Sequence, residues 1–175
     1  YEFRTANEKS YESEYGNAKQ VPGVPTFWDI AVHPLSDESC EGATYSRGFT
    51  GQYTENLSTH NGVDIAKASG CKISAIADGK VIMARFVNGG YGYKVEIDHG
   101  NNVYSWYYHG SGDFYIQEGD LVKSGQLIMY MGNTGFSHGT HLHFTLLIGG
   151  NTEGYEVNPE EVQYLGNLKE HKNIL

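Results

Sequence analysis

Short apolar runs, each closed by Gly, Asn, Asp or Ser, follow one another through the middle of this chain: "CKISAIA" (71–77), "KVIMARFV" (80–87), "YKVEIDH" (93–99), "VYSWYYH" (103–109), "LIMYM" (127–131) and "HLHFTLLI" (141–148). None is long enough to build an amphipathic helix, and runs of this length rich in Val, Ile, Tyr and Phe fit pleated strands. Neighbouring runs joined by two or three turn residues pair antiparallel. Asp78–Gly79, between the first two runs, predicts one hairpin, and "GNN" at 100–102 predicts another. A further turn falls at Ser124–Gly125, and the last run enters a Gly-rich turn before "YEV" at 155–157. The chain is therefore expected to be mainly β, built on an antiparallel sheet. Its 23 Gly and 14 Tyr suit that reading.

The ends differ in character from the middle. Residues 1–20 are polar, charged and nearly free of aliphatic side chains, and "VPGVP" (21–25) punctuates their end. The expected organisation is a polar arm or linker over 1–26, one domain over 27–165 and a C-terminal tail over 166–175. A length of 175 residues is enough for one domain with a sizeable core. The formal charge of −9, from 12 Lys+Arg against 21 Asp+Glu, argues against nucleic acid or an anionic membrane as the main partner, because both reward a basic surface. No apolar run is long enough to span a bilayer. The sequence opens at Tyr1 with no charged-then-apolar leader, so it reads as a processed or excised piece whose targeting signal is already gone. Cys40 and Cys71 fit two readings equally at this point: a disulfide worth roughly 3–4 kcal/mol in an oxidising compartment, or two buried free thiols.

The chemistry concentrates in the eight histidines, which are unevenly placed. In "HLHF", His141 and His143 stand two apart on a strand, so both imidazoles project from one face. In "HNGVDIA", His60 and Asp64 are four apart, which keeps both on one face of an extended segment or on neighbouring turns of a helix. "YYHG" supplies His109 at the end of a strand. Zn2+ takes imidazole nitrogens and carboxylate oxygens in a four-coordinate shell, and catalytic sites leave one position to water. His60, Asp64 and one histidine of the 141/143 pair make such a three-ligand set. The absence of Cys-x-x-Cys spacing argues against a closed structural zinc. Neither H-x-x-x-D nor H-x-H specifies a metal alone, and His60 or His109 taken singly reads as a surface or core residue. Zinc lowers the pKa of a bound water from ~15.7 toward ~7, yet a general base is still needed, and no H-E-x-x-H helix supplies a glutamate. Imidazoles, with a reference pKa near ~6.5, suit that task.

Six segments together carry a resemblance. "HNGVDIA", "GGYGYKVEIDHG", "YYHG", "GDLVKSGQ", "GNTGFSHGTHLHF" and "VNP" stand in the order and approximate spacing of the lysostaphin-type (LytM-like) zinc metalloendopeptidases, over about residues 44–160. The resemblance implies an antiparallel sheet that forms a narrow groove with zinc on its floor. It implies secreted or envelope-exposed enzymes, of bacterial or phage origin, that cut peptide bonds in bacterial peptidoglycan. It implies zinc ligation by His60, Asp64 and His143, with His141 facing the water or substrate and His109 joining it, the two sharing the base, acid and oxyanion roles. It also implies that Tyr91 of "GGYGY" points at the active site, where its hydroxyl would stabilise the tetrahedral intermediate; a plain packing tyrosine is the other reading.

Four positions depart from that family's pattern: Thr50 in "YSRGFTGQY", Tyr93 after Gly–Tyr–Gly, Gly110 after His109, and Thr145 after "HLHF". None removes a metal ligand or a catalytic imidazole, and they are expected to alter the groove walls and with them the substrate preference. His99 is expected to make a structural hydrogen bond, His138 to be a solvated loop residue near the rim, His33 and His171 to be incidental, and Asp78 and Asp98 to form turns. Two rival readings stand beside the enzyme. One is a non-catalytic scaffold, amidase activator or wall-binding module of the same fold; such relatives usually lose ligands or catalytic histidines, and this chain keeps all five groups. The other is a lipoyl or biotinyl carrier domain, suggested by "GDLVKSGQLI" and "ADGKVI", for which neither Lys80 nor Lys94 has the required context.

Overall fold

The computed structural model describes residues 31–53 and 59–161. The arm, the tail and His171 lie outside the described residues. Ten strands follow in chain order: β1 (Thr44–Arg47), β2 (Val63–Ala66), β3 (Lys72–Ser74), β4 (Gly79–Val87), β5 (Gly92–Gly100), β6 (Val103–Phe114), β7 (Leu121–Val122), β8 (Leu127–Met131), β9 (His141–Ile148) and β10 (Glu156–Val157). Among the described residues the only helical pieces are the 3-10 turns Glu38–Cys40 and Pro159–Glu161, and no helix is long and apolar enough to cross a membrane.

The strands form one antiparallel sheet in the order β1-β2-β9-β6-β5-β4-β7. β10 adds to β9, while the far end of β6 pairs with β8, which in turn carries β3. Alternation along β9 divides the faces. Leu142, Phe144 and Leu146 point into the core, where they join Val63 and Ile65 of β2, Tyr107 of β6 and Val95 and Ile97 of β5. Ile73 of β3 and Ile128 and Met129 of β8 belong to the same buried cluster. The opposite face of β9 carries His141, His143 and Thr145, so one strand serves core and site at once.

A buried polar chain crosses the core side. One ring nitrogen of His99 meets the Asp78 carbonyl at 2.8 Å and the other meets Ser105 Oγ at 2.7 Å; Ser105 donates to the Tyr107 hydroxyl, which accepts the Ile76 amide. The structural hydrogen bond expected of His99 is thus present. Asp98 takes the Gly100 amide at 2.7 Å, as a turn residue does. His33 is not incidental: it is buried and its Nδ1 accepts the Leu35 amide at 2.9 Å.

The "GNN" hairpin forms between β5 and β6, with Asn101 and Asn102 at φ +53° and +60°. The Asp78–Gly79 hairpin does not. β3 pairs with β8, and β4 pairs with β5 and β7. The reason is burial: residues 73–77 are buried without interruption, so this run crosses the interior and offers no solvent face to a hairpin. Asp78 instead caps a distant turn, its Oδ1 accepting the Ser124 amide at 2.8 Å. The hairpin that precedes β5 is β4–β5, closed around Asn88–Tyr91. Cys40 and Cys71 form a disulfide that fastens the irregular 31–43 segment to the entry of β3.

Candidate metal centre

Strand register assembles the ligands. Asp64 of β2 lies opposite His143 of β9, and His143 lies opposite Tyr108 of β6, so the three stand in a row across the sheet. His60 comes from the segment entering β2. Its amide donates to Thr50 Oγ1 at 2.7 Å, and its carbonyl accepts the Thr50 amide at 2.9 Å. Gly62 lets this segment lie flat on β9: a Cβ there would meet the Phe144 carbonyl oxygen at 2.3 Å and His143 Nε2 at 2.7 Å.

Three donor atoms then converge. His60 Nε2 is 3.1 Å from His143 Nδ1 and 3.1 Å from Asp64 Oδ2, and His143 Nδ1 is 2.9 Å from Asp64 Oδ1. Two bonds of ~2.0–2.1 Å at a tetrahedral angle set their outer atoms roughly 3.3 Å apart. These separations therefore fit atoms that share one small cation. The hydrogen bonds behind the ligands agree. His60 Nδ1–H donates to the Gly48 carbonyl at 2.8 Å; a carbonyl only accepts, so the inward Nε2 carries a lone pair. His143 Nε2 has Thr145 Oγ1 at 3.0 Å as its acceptor, which leaves Nδ1 to face inward. In that tautomer two lone pairs and a carboxylate face one point, which is the arrangement a cation between them stabilises. Burial works to raise the Asp64 carboxyl, but the two imidazoles outweigh it and hold it well below the usual carboxylate range. Burial also pushes His143 down, so its ring is neutral as ligation requires. Two nitrogens and a carboxylate, closely grouped, fit a divalent transition metal.

His109 and His141 stand beside this group with ring centroids 4.7 Å apart. Their Nδ1–H groups donate to the carbonyls of Thr134 at 2.8 Å and Gly139 at 2.7 Å, so both present an Nε2 lone pair. His141 Nε2 lies 3.7 Å from Asp64 Oδ1, farther than the corresponding nitrogens of His60 and His143. His109 follows Tyr108, and neighbours on a regular strand point to opposite faces. A bulge resolves this: three residue steps on β6, from Tyr107 to Gly110, oppose two on β5, from Val95 to Tyr93. His109 takes φ +67° there, which brings its ring to the same side as Tyr108 and His143. Burial lowers its pKa to about 4, with the Thr134 carbonyl pulling the other way.

The group opens into a groove of about 970 Å³ lined by Ser46, Arg47, Tyr53, Asn61, Tyr91, Tyr108, Phe136, His138 and Glu153, among others. Of the residues expected at the site, His60, Asp64, His143, His141 and His109 come together. Tyr91 lines the groove wall, but its hydroxyl donates to Glu153 Oε1 at 2.7 Å, so its proton is committed to that carboxylate. His138 is an exposed loop residue at the groove rim, as expected, with its ring against Phe136. The four departures do not line the groove. Thr50 and Thr145 sit behind the metal ligands and fix them. Tyr93 packs between Phe86 and Phe114. Gly110 leaves room for Met129, whose Sδ would lie 2.1 Å from a Cβ at that position. The sequence marks Thr50 and Thr145 as groove-wall departures but not as supports of His60 and His143, although Thr145 stands two residues beyond His143 on the same strand face; Phe136 and Glu153 it does not mark at all.

Comparison with known proteins follows the same line. The profile of Peptidase family M23 matches residues 58–159. An uncharacterized metalloprotease of Haemophilus influenzae is 32% identical over 166 residues, 95% of this chain and 32% of that protein. The peptidoglycan DD-endopeptidase ShyA of Vibrio cholerae is 39% identical over 98 residues, 55% of this chain and 22% of its own length. The chain thus spans about a third or less of these curated relatives. The catalytic domain of the antimicrobial peptidase lysostaphin from Staphylococcus simulans superposes with a TM-score of 0.61 at 29% identity, covering 67% of this chain and 89% of that one. With a family profile matched across most of the described sheet and the His60–Asp64–His143 group inside it, this chain belongs to Peptidase family M23.

Proposed function

We propose that this chain is a zinc metalloendopeptidase that hydrolyses peptide bonds in bacterial peptidoglycan, within cross-links or stem peptides, at the cell envelope or outside the cell. The observation that carries the reading is the arrangement of four imidazoles around one carboxylate, each with its outer nitrogen tied to a carbonyl or hydroxyl oxygen. His60, Asp64 and His143 would hold the metal, and their mixed nitrogen and oxygen donors suit zinc. Zinc bound there would supply Lewis-acid activation of water and of the scissile carbonyl. The chain's own residues supply the proton traffic. His109 and His141 each offer an Nε2 lone pair, so either can take a proton from the attacking water and return one to the leaving amine. Their Nδ1–H groups are held by backbone carbonyls, which keeps both rings in one tautomer. The Cys40–Cys71 disulfide supports an oxidising compartment.

Digestion of purified peptidoglycan, followed by mass analysis of the fragments, tests this. New amino termini should appear with the native protein and vanish with His109→Ala. Zinc content separates ligand from acid–base residues: His60→Ala should lose the metal and His109→Ala should keep it. Absence of new termini with zinc-loaded native protein would overturn the assignment.

A further inference from the structure

One corner of the groove carries chemistry that the metal centre does not use. The loop between β9 and β10, residues 149–155, folds back over the groove face of the sheet. Its Asn151 accepts the Trp106 indole N–H at 2.7 Å and donates to Glu96 at 3.0 Å, and its Glu153 accepts the Tyr91 hydroxyl. The buried Glu156 carboxylate ties the adjoining wall to the same place through the Tyr53 amide at 2.9 Å and the Asn61 side chain at 3.0 Å. Tyr53, Tyr91 and Glu153 therefore share one corner of the groove lining. Tyr91 has a single hydroxyl proton, and it goes to Oε1. The other oxygen of Glu153 has no hydrogen-bond partner among the described residues.

A carboxylate beside the rings of tyrosines is a receptor for an ammonium group, which gains a charge-assisted hydrogen bond and the attraction of the aromatic faces. The molecule already holds one alkylammonium in this manner. Lys94 Nζ is buried 3.7 Å from the Trp106 centroid, 4.4 Å from that of Tyr91 and 4.9 Å from that of Tyr108, and it pairs with Glu96 at 2.8 Å. Lys94 pairs directly with Glu96 and is acted on by Glu153 only at longer range, so the second Glu153 oxygen is left to the groove that Glu153 lines.

We propose that the Tyr53–Tyr91–Glu153 corner binds a primary ammonium group of the substrate, which makes Glu153 a specificity-determining residue. This rests on the reading of the groove as a peptidase site. A peptide can present such a group from its amino terminus or from the side chain of a diamino residue.

The test uses the zinc-loaded protein, isotopically labelled for nuclear magnetic resonance, titrated with three small amides. Nα-acetyl-lysine amide offers only a side-chain amine, norleucine amide only an amino terminus, and Nα-acetyl-norleucine amide neither. One of the first two should bind about fivefold or more tighter than the third, with shifts at Tyr53, Tyr91 and Glu153, and the one that does identifies the source of the ammonium. Glu153→Gln keeps an oxygen for the Tyr91 hydroxyl and should abolish the discrimination. Equal affinities for all three amides, including no binding, would overturn the proposal without any variant, as would discrimination that survives Glu153→Gln. Hydrolysis of peptidoglycan measured on the same preparation separates the two readings. Cleavage without ammonium discrimination removes this corner and keeps the peptidase; discrimination without cleavage does the reverse.

Discussion

Replacing Thr145 by valine should weaken zinc binding by about 10–100-fold while leaving the metal-free fold nearly as stable as before. Thr145 is fully buried, and its Oγ1 lies 3.0 Å from His143 Nε2. Valine keeps the shape and removes that oxygen. A neutral imidazole has one proton to place. In the metal-free protein it can sit on Nδ1, where Asp64 Oδ1 waits at 2.9 Å, and a bare Nε2 beside a methyl group costs little. A metal at Nδ1 drives the proton to Nε2, and in the variant nothing there accepts it. An orphaned buried N–H costs about 1–3 kcal/mol, and at ~1.4 kcal/mol per decade that penalty falls wholly on the loaded state. Competition against a chromogenic chelator, run on wild type, Thr145→Val and Thr145→Ser, measures it. Serine keeps the hydroxyl and should stay within about twofold of wild type. A valine variant with an unchanged zinc Kd would refute the claim that this hydroxyl sets the His143 tautomer.

Gly62→Ala places a Cβ 2.3 Å from the Phe144 carbonyl and 2.7 Å from His143 Nε2, so β2 must part from β9; the expected result is loss of stoichiometric zinc, read by metal analysis. Opening the Cys40–Cys71 bond frees a 31-residue loop and should lower stability by about 3–4 kcal/mol, measured as a fall in the denaturant midpoint on reduction. Without reductant, alkylation should leave the intact mass unchanged. His99 should make the fold acid-sensitive: burial depresses its pKa from 6.5 to about 4, against the pull of the Asp78 carbonyl, so the unfolded chain binds a proton that the folded one refuses. Its contribution is whole above pH 6.5 and declines by about 3 kcal/mol as pH falls to 4, and His99→Gln should flatten that part of the stability curve. His109 sits at φ +67°, where a non-glycine residue is disfavoured by about 1–2 kcal/mol. His109→Gly should therefore unfold at a higher denaturant midpoint than His109→Ala, although both should be inactive.

What could be read in advance was whatever the period of two controls. His141 and His143 share a face because they are two apart on β9, and the same count extended by one step reaches Thr145, which proves to be the acceptor behind His143. Thr145 and Thr50, expected to shape the groove walls, instead support ligands: Thr145 two residues along the strand from His143, and Thr50 from a loop ten residues before His60. The tautomers of His60, His109 and His141 are set by the carbonyls of Gly48, Thr134 and Gly139. A backbone oxygen has no residue type, so nothing in the sequence marks it. His109 was legible as a candidate but not as a strained one, because the bulge that turns it toward His141 depends on unequal steps along two strands. Asp78–Gly79 shows the converse error, a turn signal overruled by the burial of the run before it.

Gly110 shows why departures from a family pattern cannot be weighed one position at a time. A side chain at 110 and the Met129 side chain would occupy the same volume, since a Cβ at 110 would fall 2.1 Å from Met129 Sδ. β6 and β8 meet at this point, where Gly110 lies opposite Met131. The space that a side chain after His109 would take is filled here from another strand, so the absence of a side chain at 110 leaves no cavity at this point. The buried Met129 side chain therefore fills the space next to the bulge at which His109 takes φ +67°, and a larger residue at 110 would have to displace it.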